Sequence, residues 1–369
     1  SQMDELMDWS EEKLLDLDND KTYKIDEGNS YDWIYNWPEL LANGINRYLG
    51  EEFVPDVDAG SITGVYICGM GGSAIAGEIL GSLLRNHLEI PVSVIRDYTL
   101  PSTVNEKSLV IGISYSGNTE ETISAINGAV GKNAKILGVT TGGELEDILN
   151  TSGFEIIKLR SDYPAPRLAL PELLTALFSI FYKCFEGWKL ENASVARSIE
   201  VLNENRESLS LNTPTKNNPA KQLAIKLHSG FPILLGTDVI RPVLLRFQAQ
   251  LNENSKWPAH VAVIPEFDHN EIVAFSHDGP ATGMSGLLVI YDDDDHPRNA
   301  RRLEYTVDLI KPKMKWMQGI RDHEKNYLAR MLSLIQVADF ATYYLACARG
   351  IDPMDISAIE DLKLKLKND

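Results

Sequence analysis

Little in this chain ties it to an oxidising compartment, a nucleic acid or a membrane. Its 369 residues contain 3 cysteines, and Cys68, Cys184 and Cys347 stand singly in apolar stretches. Neither a disulfide framework nor a metal-ligand spacing can be built from them, so they read as reduced core thiols. Positive charge is also short, with 35 Lys and Arg against 53 Asp and Glu and a formal net charge of −18. Attraction to a phosphate backbone or an anionic membrane surface needs the opposite sign. No nucleic-acid or membrane partner is therefore expected, and an anionic ligand has to be met locally. No unbroken apolar run reaches the ~18 residues of a membrane span. The opening segment, with Asp4, Glu5, Asp8, Glu11 and Glu12, is the reverse of a basic leader, and a cytoplasmic location is the expectation.

Hydrophobic residues are ample at 44%. That suffices for two cores in domains of roughly 150 to 200 residues each. Residues 1–60 are acidic and read as a helical arm, with helices over 3–17 and 30–48 covering the domain that follows. From Gly64 short apolar runs alternate with helical segments, the pattern of a parallel sheet with crossover helices. Strands are expected at Gly64–Cys68, 92–96, 109–114, Lys135–Thr140 and Glu155–Lys158, and helices at 73–84, 119–130 and 171–185. This first domain occupies 61–190. A polar, helical connector is expected at 191–219, with Pro214 and Pro219 near its end. A second series of strands and helices then runs over 233–236, 243–252, His260–Ile264, 287–291, Pro297–Ile310, 313–317 and 325–348, within a domain at 220–350. Residues 351–369 form a C-terminal helix. The fold class is α/β, with the element order of the second domain mirroring the first.

Two strand-to-helix turns in the first domain carry the chemistry. Gly64–Cys68 runs into Gly69-Met70-Gly71-Gly72-Ser73-Ala74. Glycines there let main-chain N–H groups approach an anion, and a helix N-terminus adds unsatisfied donors with partial positive charge. Alone, such a turn serves tight packing equally well. The third strand, however, ends in Ser114-Tyr115-Ser116-Gly117-Asn118-Thr119-Glu120-Glu121-Thr122, again at the start of a helix. Ser114, Ser116 and Thr119 put more hydroxyls there than a capping box requires. Neutral hydroxyls and amides suit a phosphate ester that must bind and leave repeatedly.

Together these two segments resemble the phosphate loops of sugar-isomerase (SIS) domains. Pro164-Ala165-Pro166-Arg167 before an apolar helix is similar to the bifunctional phosphoglucose/phosphomannose isomerase branch of that superfamily. The resemblance extends from about Gly64 to the C-terminus and implies two SIS-type domains. It also implies phosphate binding by Gly71, Gly72, Ser73, Ser114, Ser116 and Thr119, no cofactor and no metal, and a homodimer with shared active sites.

The second domain continues the resemblance in Gln250-Leu251-Asn252-Glu253-Asn254-Ser255-Lys256 and Pro265-Glu266-Phe267-Asp268-His269-Asn270. In the resembled family the Glu-Asn glutamate moves a proton between C1 and C2, and the His-Asn histidine opens the sugar ring. Those roles fall on Glu253 and His269, with Asp268 or Glu266 as candidates to orient the ring. Aldose–ketose conversion needs a carboxylate at the carbon acid, a second acid/base at the ring oxygen, and positive charge toward the enediolate. Arg167, stiffened by two prolines, fits the last requirement. The resemblance adds a lysine from the C-terminal helix, assigned to Lys363, with Lys365 as the alternative after a small shift of register.

The acidic run Asp292-Asp293-Asp294-Asp295 reads as a solvated loop with no second ligand cluster at a metal spacing. The expected substrate is a hexose 6-phosphate, converted between glucose or mannose 6-phosphate and fructose 6-phosphate. The alternatives are an amino-sugar phosphate isomerase and a non-catalytic sugar-phosphate sensor. Glu253 and His269 stand where a sensor would have lost its acid/base pair.

Overall fold

The computed structural model describes residues 12–50, 55–186 and 192–369, which form two compact units. The N-terminal unit holds the described residues of Asn36–Val201 together with Asn326–Ala329, and the C-terminal unit holds the described residues of Ser1–Tyr35 together with Leu202–Lys325 and Arg330–Asp369.

In chain order the elements are α1 (Ser30–Tyr35), α2 (Trp37–Gly50), β1 (Gly64–Cys68), α3 (Gly71–Leu84), β2 (Val92–Ile95), β3 (Ser108–Ser114), α4 (Glu120–Gly131), β4 (Lys135–Thr140), α5 (Gly143–Thr151), β5 (Glu155–Lys158) and α6 (Leu170–Cys184). They continue with α7 (Asn192–Leu209), α8 (Pro219–His228), β6 (Phe231–Thr237), α9 (Arg241–Gln250), β7 (His260–Ile264), α10 (Glu271–Phe275), α11 (Pro280–Gly283), β8 (Ser285–Tyr291), α12 (Pro297–Ile310), β9 (Trp316–Arg321), α13 (Tyr327–Ala348) and α14 (Ser357–Lys367).

Both sheets are parallel. The first has the order β2-β1-β3-β4-β5 and the second β7-β6-β8-β9, the same order without a fifth strand. Every residue of β1 and β3 is buried, which explains their unbroken apolar runs: a central strand covered on both faces has no side to leave polar. One face of the first sheet packs Tyr66, Cys68, Val110 and Ile136 with Ile126 and Leu149 of its helices. In the second, Ile233, Leu235, Ile264 and Leu287 pack with Leu303 and Val307 of α12. All three cysteines are buried free thiols, and burial pushes each up to about 12, which keeps them protonated.

The structure departs from the sequence expectations at several places. Helix α5, unanticipated, follows the turn at Gly142-Gly143. The last strand lies at Trp316–Arg321 rather than 313–317, because the Lys311–Lys313 turn, with a proline that cannot donate a hydrogen bond, first finishes the preceding helix. Most of the expected 3–17 helix lies outside the described residues, and residues 12–17 are not helical.

The arm also divides. Helix α2 packs on α6, where a side chain at Gly44 would fall 2.2 Å from Thr175 Oγ1, and Arg47 lies 3.4 Å from the buried Glu172. Residues 12–35 instead pack in the C-terminal unit. Tyr31 lies 5.5 Å from Tyr343, the Tyr343 hydroxyl donates to Asp26 at 3.0 Å, and the buried Lys221 ammonium donates to Asp18 at 3.2 Å. One helix, Tyr327–Ala348, is long and apolar enough to cross a bilayer, but 94% of its apolar window is buried and it serves as a core helix.

Candidate active site

In the first sheet the connection after β1 leads to β2 on one side and that after β3 leads to β4 on the other. Their carboxyl ends therefore flank the crevice where open α/β sheets take ligands. Both glycine-containing turns lie there. Gly71 has φ +48, and the Gly71 and Gly72 amides open α3 without an acceptor among the described residues. A Cβ at Gly72 would sit 2.9 Å from the Arg167 main chain, so only glycine lets the Pro166–Ala169 turn lie against this helix end. Arg167 is buried.

The second turn is built around Ser114. Its buried Oγ accepts from the Gly117 amide at 3.0 Å and shares a hydrogen bond with Thr119 Oγ1 at 2.8 Å. Only one of those two hydroxyl hydrogens is used in that bond. Ser116 is exposed and its Oγ accepts from the Asn118 amide at 3.1 Å. Gly117 is required at φ +77, since a Cβ would fall 1.8 Å from the Gly142 carbonyl. The 142–143 turn backs the loop from behind, with the Glu144 amide donating to Asn118 Oδ1 at 3.0 Å. Sequence reasoning missed this support, although Thr140-Thr141-Gly142-Gly143 after a strand is the same kind of signal. The N-terminal unit thus brings Gly71, Gly72, Ser73, Ser114, Ser116, Thr119 and Arg167 to one end of one sheet.

Glu253 occupies a single π-turn, Leu251–Ser255, that continues α9. Such turns are rare and frequent at functional sites. Nearly everything around it is tied down. Arg246 and Gln250 of α9 both donate to the buried Asp339 of α13, Asn254 Nδ2 donates to Thr342 Oγ1 at 3.1 Å, and Ser255 Oγ donates to the Thr342 carbonyl at 2.7 Å. The half-buried Glu253 carboxylate has no hydrogen-bond or ion-pair partner among the described residues. A rigid turn holding an unpaired carboxylate leaves its basic oxygens available to a ligand.

His269 ends the short turn Glu266–His269 and is exposed, its ring without a partner among the described residues. The expectation that Asp268 or Glu266 orients it does not hold. Asp268 instead accepts from Thr306 Oγ1 at 2.6 Å and faces Arg302, while Glu266 accepts from Asn270 at 3.2 Å. Neighbours in sequence were drawn to α12 and to the next helix cap. Lys363 and Lys365 are both exposed on α14, whose apolar side chains Ile359, Leu362, Leu364 and Leu366 are exposed too.

The corresponding end of the second sheet is chemically different. After β8 comes the run Asp292–Asp295, which is no simple solvated loop. Asp292 is buried and paired with the equally buried Arg330 at 2.7 Å, Asp294 meets the same guanidinium at 2.8 Å, and Asp293 pairs with Arg321 and His323. Hydrogen bonds from Arg321 and His323 hold the Asp293 carboxyl low, whereas burial pushes that of Asp295 up. Among the described residues no group of three or more His, Cys, Asp or Glu is placed to hold a metal ion.

Residues 63–163 match the SIS domain, and residues 216–366 match the bacterial phospho-glucose isomerase C-terminal SIS domain. A bifunctional phosphoglucose/phosphomannose isomerase of Caldicellulosiruptor bescii is 37% identical over 337 residues, covering 91% of this chain and 98% of that one. The chain belongs to the bifunctional phosphoglucose/phosphomannose isomerase family. The Aquifex aeolicus protein of the same name is 31% identical across 94% of this chain and 99% of its own length. In fold, this family member also resembles the C-terminal domain of glucosamine-fructose-6-phosphate aminotransferase from Francisella tularensis. The TM-score is 0.65 at 17% identity, with 88% of this chain and 96% of that one covered.

Proposed function

We propose that this isomerase interconverts glucose 6-phosphate, and also mannose 6-phosphate, with fructose 6-phosphate through an enediol intermediate. The observation that carries the chemical reading is the unpaired, half-buried Glu253 carboxylate on its braced π-turn. The phosphate ester is bound by the amides of Gly71 and Gly72 and by Ser73, Ser114, Ser116 and Thr119, at a helix N-terminus that favours an anion without needing a metal. Glu253 removes the proton at C2 or C1 and returns it to the neighbouring carbon. Arg167 and Lys363 face the negative charge that develops on the enediolate oxygens. His269 transfers the ring-oxygen proton when the sugar opens. Reprotonation of the enediol on either face at C2 gives the two epimeric aldoses.

The exposure of His269 and its lack of a partner among the described residues support its action in the site of a second copy, within a cytoplasmic homodimer. Mixing Glu253→Gln with His269→Ala protein should then restore activity through hybrid dimers. No recovery after demonstrated subunit exchange removes the shared site.

The reaction itself is tested by supplying glucose, mannose and glucosamine 6-phosphates in heavy water and following ketose formation and deuterium at C1 and C2. The expected result is turnover of the first two, with deuterium incorporated. Turnover of glucosamine 6-phosphate alone would make this an amino-sugar isomerase, and binding without turnover would make it a sensor.

A further inference from the structure

We infer that Lys256 is a positioning residue for the Glu253 carboxylate, an inference that rests on the reading of Glu253 as the base. Lys256 closes the π-turn in the left-handed conformation, φ 52 and ψ 42, and its amide donates back to the Leu251 carbonyl. Its ammonium then folds back under the turn, within hydrogen-bond reach of four main-chain carbonyls. These belong to Glu253 at 2.5 Å, Asn254 at 3.4 Å, Asp352 at 3.0 Å and Pro353 at 3.3 Å. The first two are carbonyls of the base's own turn, at the end of a helix where partial negative charge accumulates. The other two lie in the segment that leads into α14, the helix bearing Lys363. One cation thus fixes the main chain of the base and the root of that helix to each other. Arg349 reinforces the joint by donating to the Lys256 carbonyl at 3.1 Å.

The backbone conformation separates this role from ordinary helix capping. A left-handed cap is made most easily by glycine, which has no Cβ to crowd the carbonyl. The chain instead places a long cationic side chain there and uses its ammonium. Were Lys256 only a cap, glycine would serve as well or better.

The full-length variants Lys256→Gly, Lys256→Met and Lys256→Arg, measured beside Glu253→Gln, test this. Lys256→Gly relieves the backbone and removes the ammonium, so it folds even where Lys256→Met does not. Loss of alignment at a reacting centre is expected to lower kcat about 10²-fold while KM stays within about twofold, and Lys256→Arg recovers part of the loss. A dead Glu253→Gln protein beside a Lys256→Gly enzyme whose kcat is within about threefold of the parent overturns this inference alone. Full turnover by Glu253→Gln overturns the reading of the base, and the inference with it.

Discussion

The two sheets share a strand order and differ at the same place. At the carboxyl ends of β1 and β3 the chain puts glycines, amides without an acceptor among the described residues, and neutral hydroxyls, all within the N-terminal unit. At the ends of β6 and β8 it puts Thr237, Asp238 and the run Asp292–Asp295, closed on Arg330. The first end is where we propose the phosphate binds, whereas at the second it would face carboxylates and find the guanidinium already taken. Topology supplies a crevice twice, and the loops decide what each crevice accepts. In the C-terminal unit the candidate base Glu253 stands instead on the π-turn that continues α9.

The largest expected effect separates those contributions. Glu253→Gln keeps size and some hydrogen bonding but removes the basic oxygen, so kcat should fall about 10²- to 10⁴-fold with little change in KM. Steady-state kinetics with deuterium exchange check this, and near-normal turnover with normal exchange would remove Glu253 from the mechanism. Next comes the acidic end itself. Arg330→Met leaves Asp292 buried without its partner, which should cost about 3 to 5 kcal/mol of stability by chemical denaturation. A midpoint unchanged from the parent would mean that the Arg330 pairs do not hold this end together.

At the neutral end, Ser116→Ala and Thr119→Ala should each remove a proposed hydrogen bond to a charged phosphate, worth roughly 1.5 to 3 kcal/mol. Competitive phosphate esters should bind correspondingly more weakly, with folding intact. Unchanged inhibition constants would reduce these loops to structural turns.

The smallest effect is a pH dependence confined to one unit. His228, against Trp257 at 5.1 Å and 3.5 Å from Glu12, has its pKa lowered, first by burial and then by Arg349 and Lys315, with Glu12 opposing. Because the folded value lies below the ordinary one of 6.5, this group's stabilisation is full above that pH. It is lost as the pH falls toward the folded pKa, since the unfolded chain takes up the proton first. In the N-terminal unit the corresponding residue type is His87 alone, which is exposed. Denaturation midpoints at pH 7.5 and 5.5 should therefore differ more for the parent than for His228→Gln, and equal differences would show that His228 has no part in the acid sensitivity.

What the sequence by itself determined was local. A strand running into glycines, or into hydroxyls and a glycine, reads within half a dozen residues, because turn conformation and helix-end chemistry are set by near neighbours. The apolar runs of β1, β3, β6 and β8 likewise announced two parallel sheets before any packing was known. The tertiary structure alone decided which charges are spent and which are left. Asp292 found Arg330, 38 positions along the chain, and Asp268 found Thr306 in place of its neighbour His269. The Lys256 ammonium reached carbonyls 96 and 97 positions away, and residues 12–35 joined the C-terminal unit rather than the domain that follows them. No local pattern encodes such pairings. They depend on where the chain returns once its apolar faces are buried, and that return leaves Glu253 without a side-chain partner among the described residues, on a turn held through Asn254, Ser255 and Lys256.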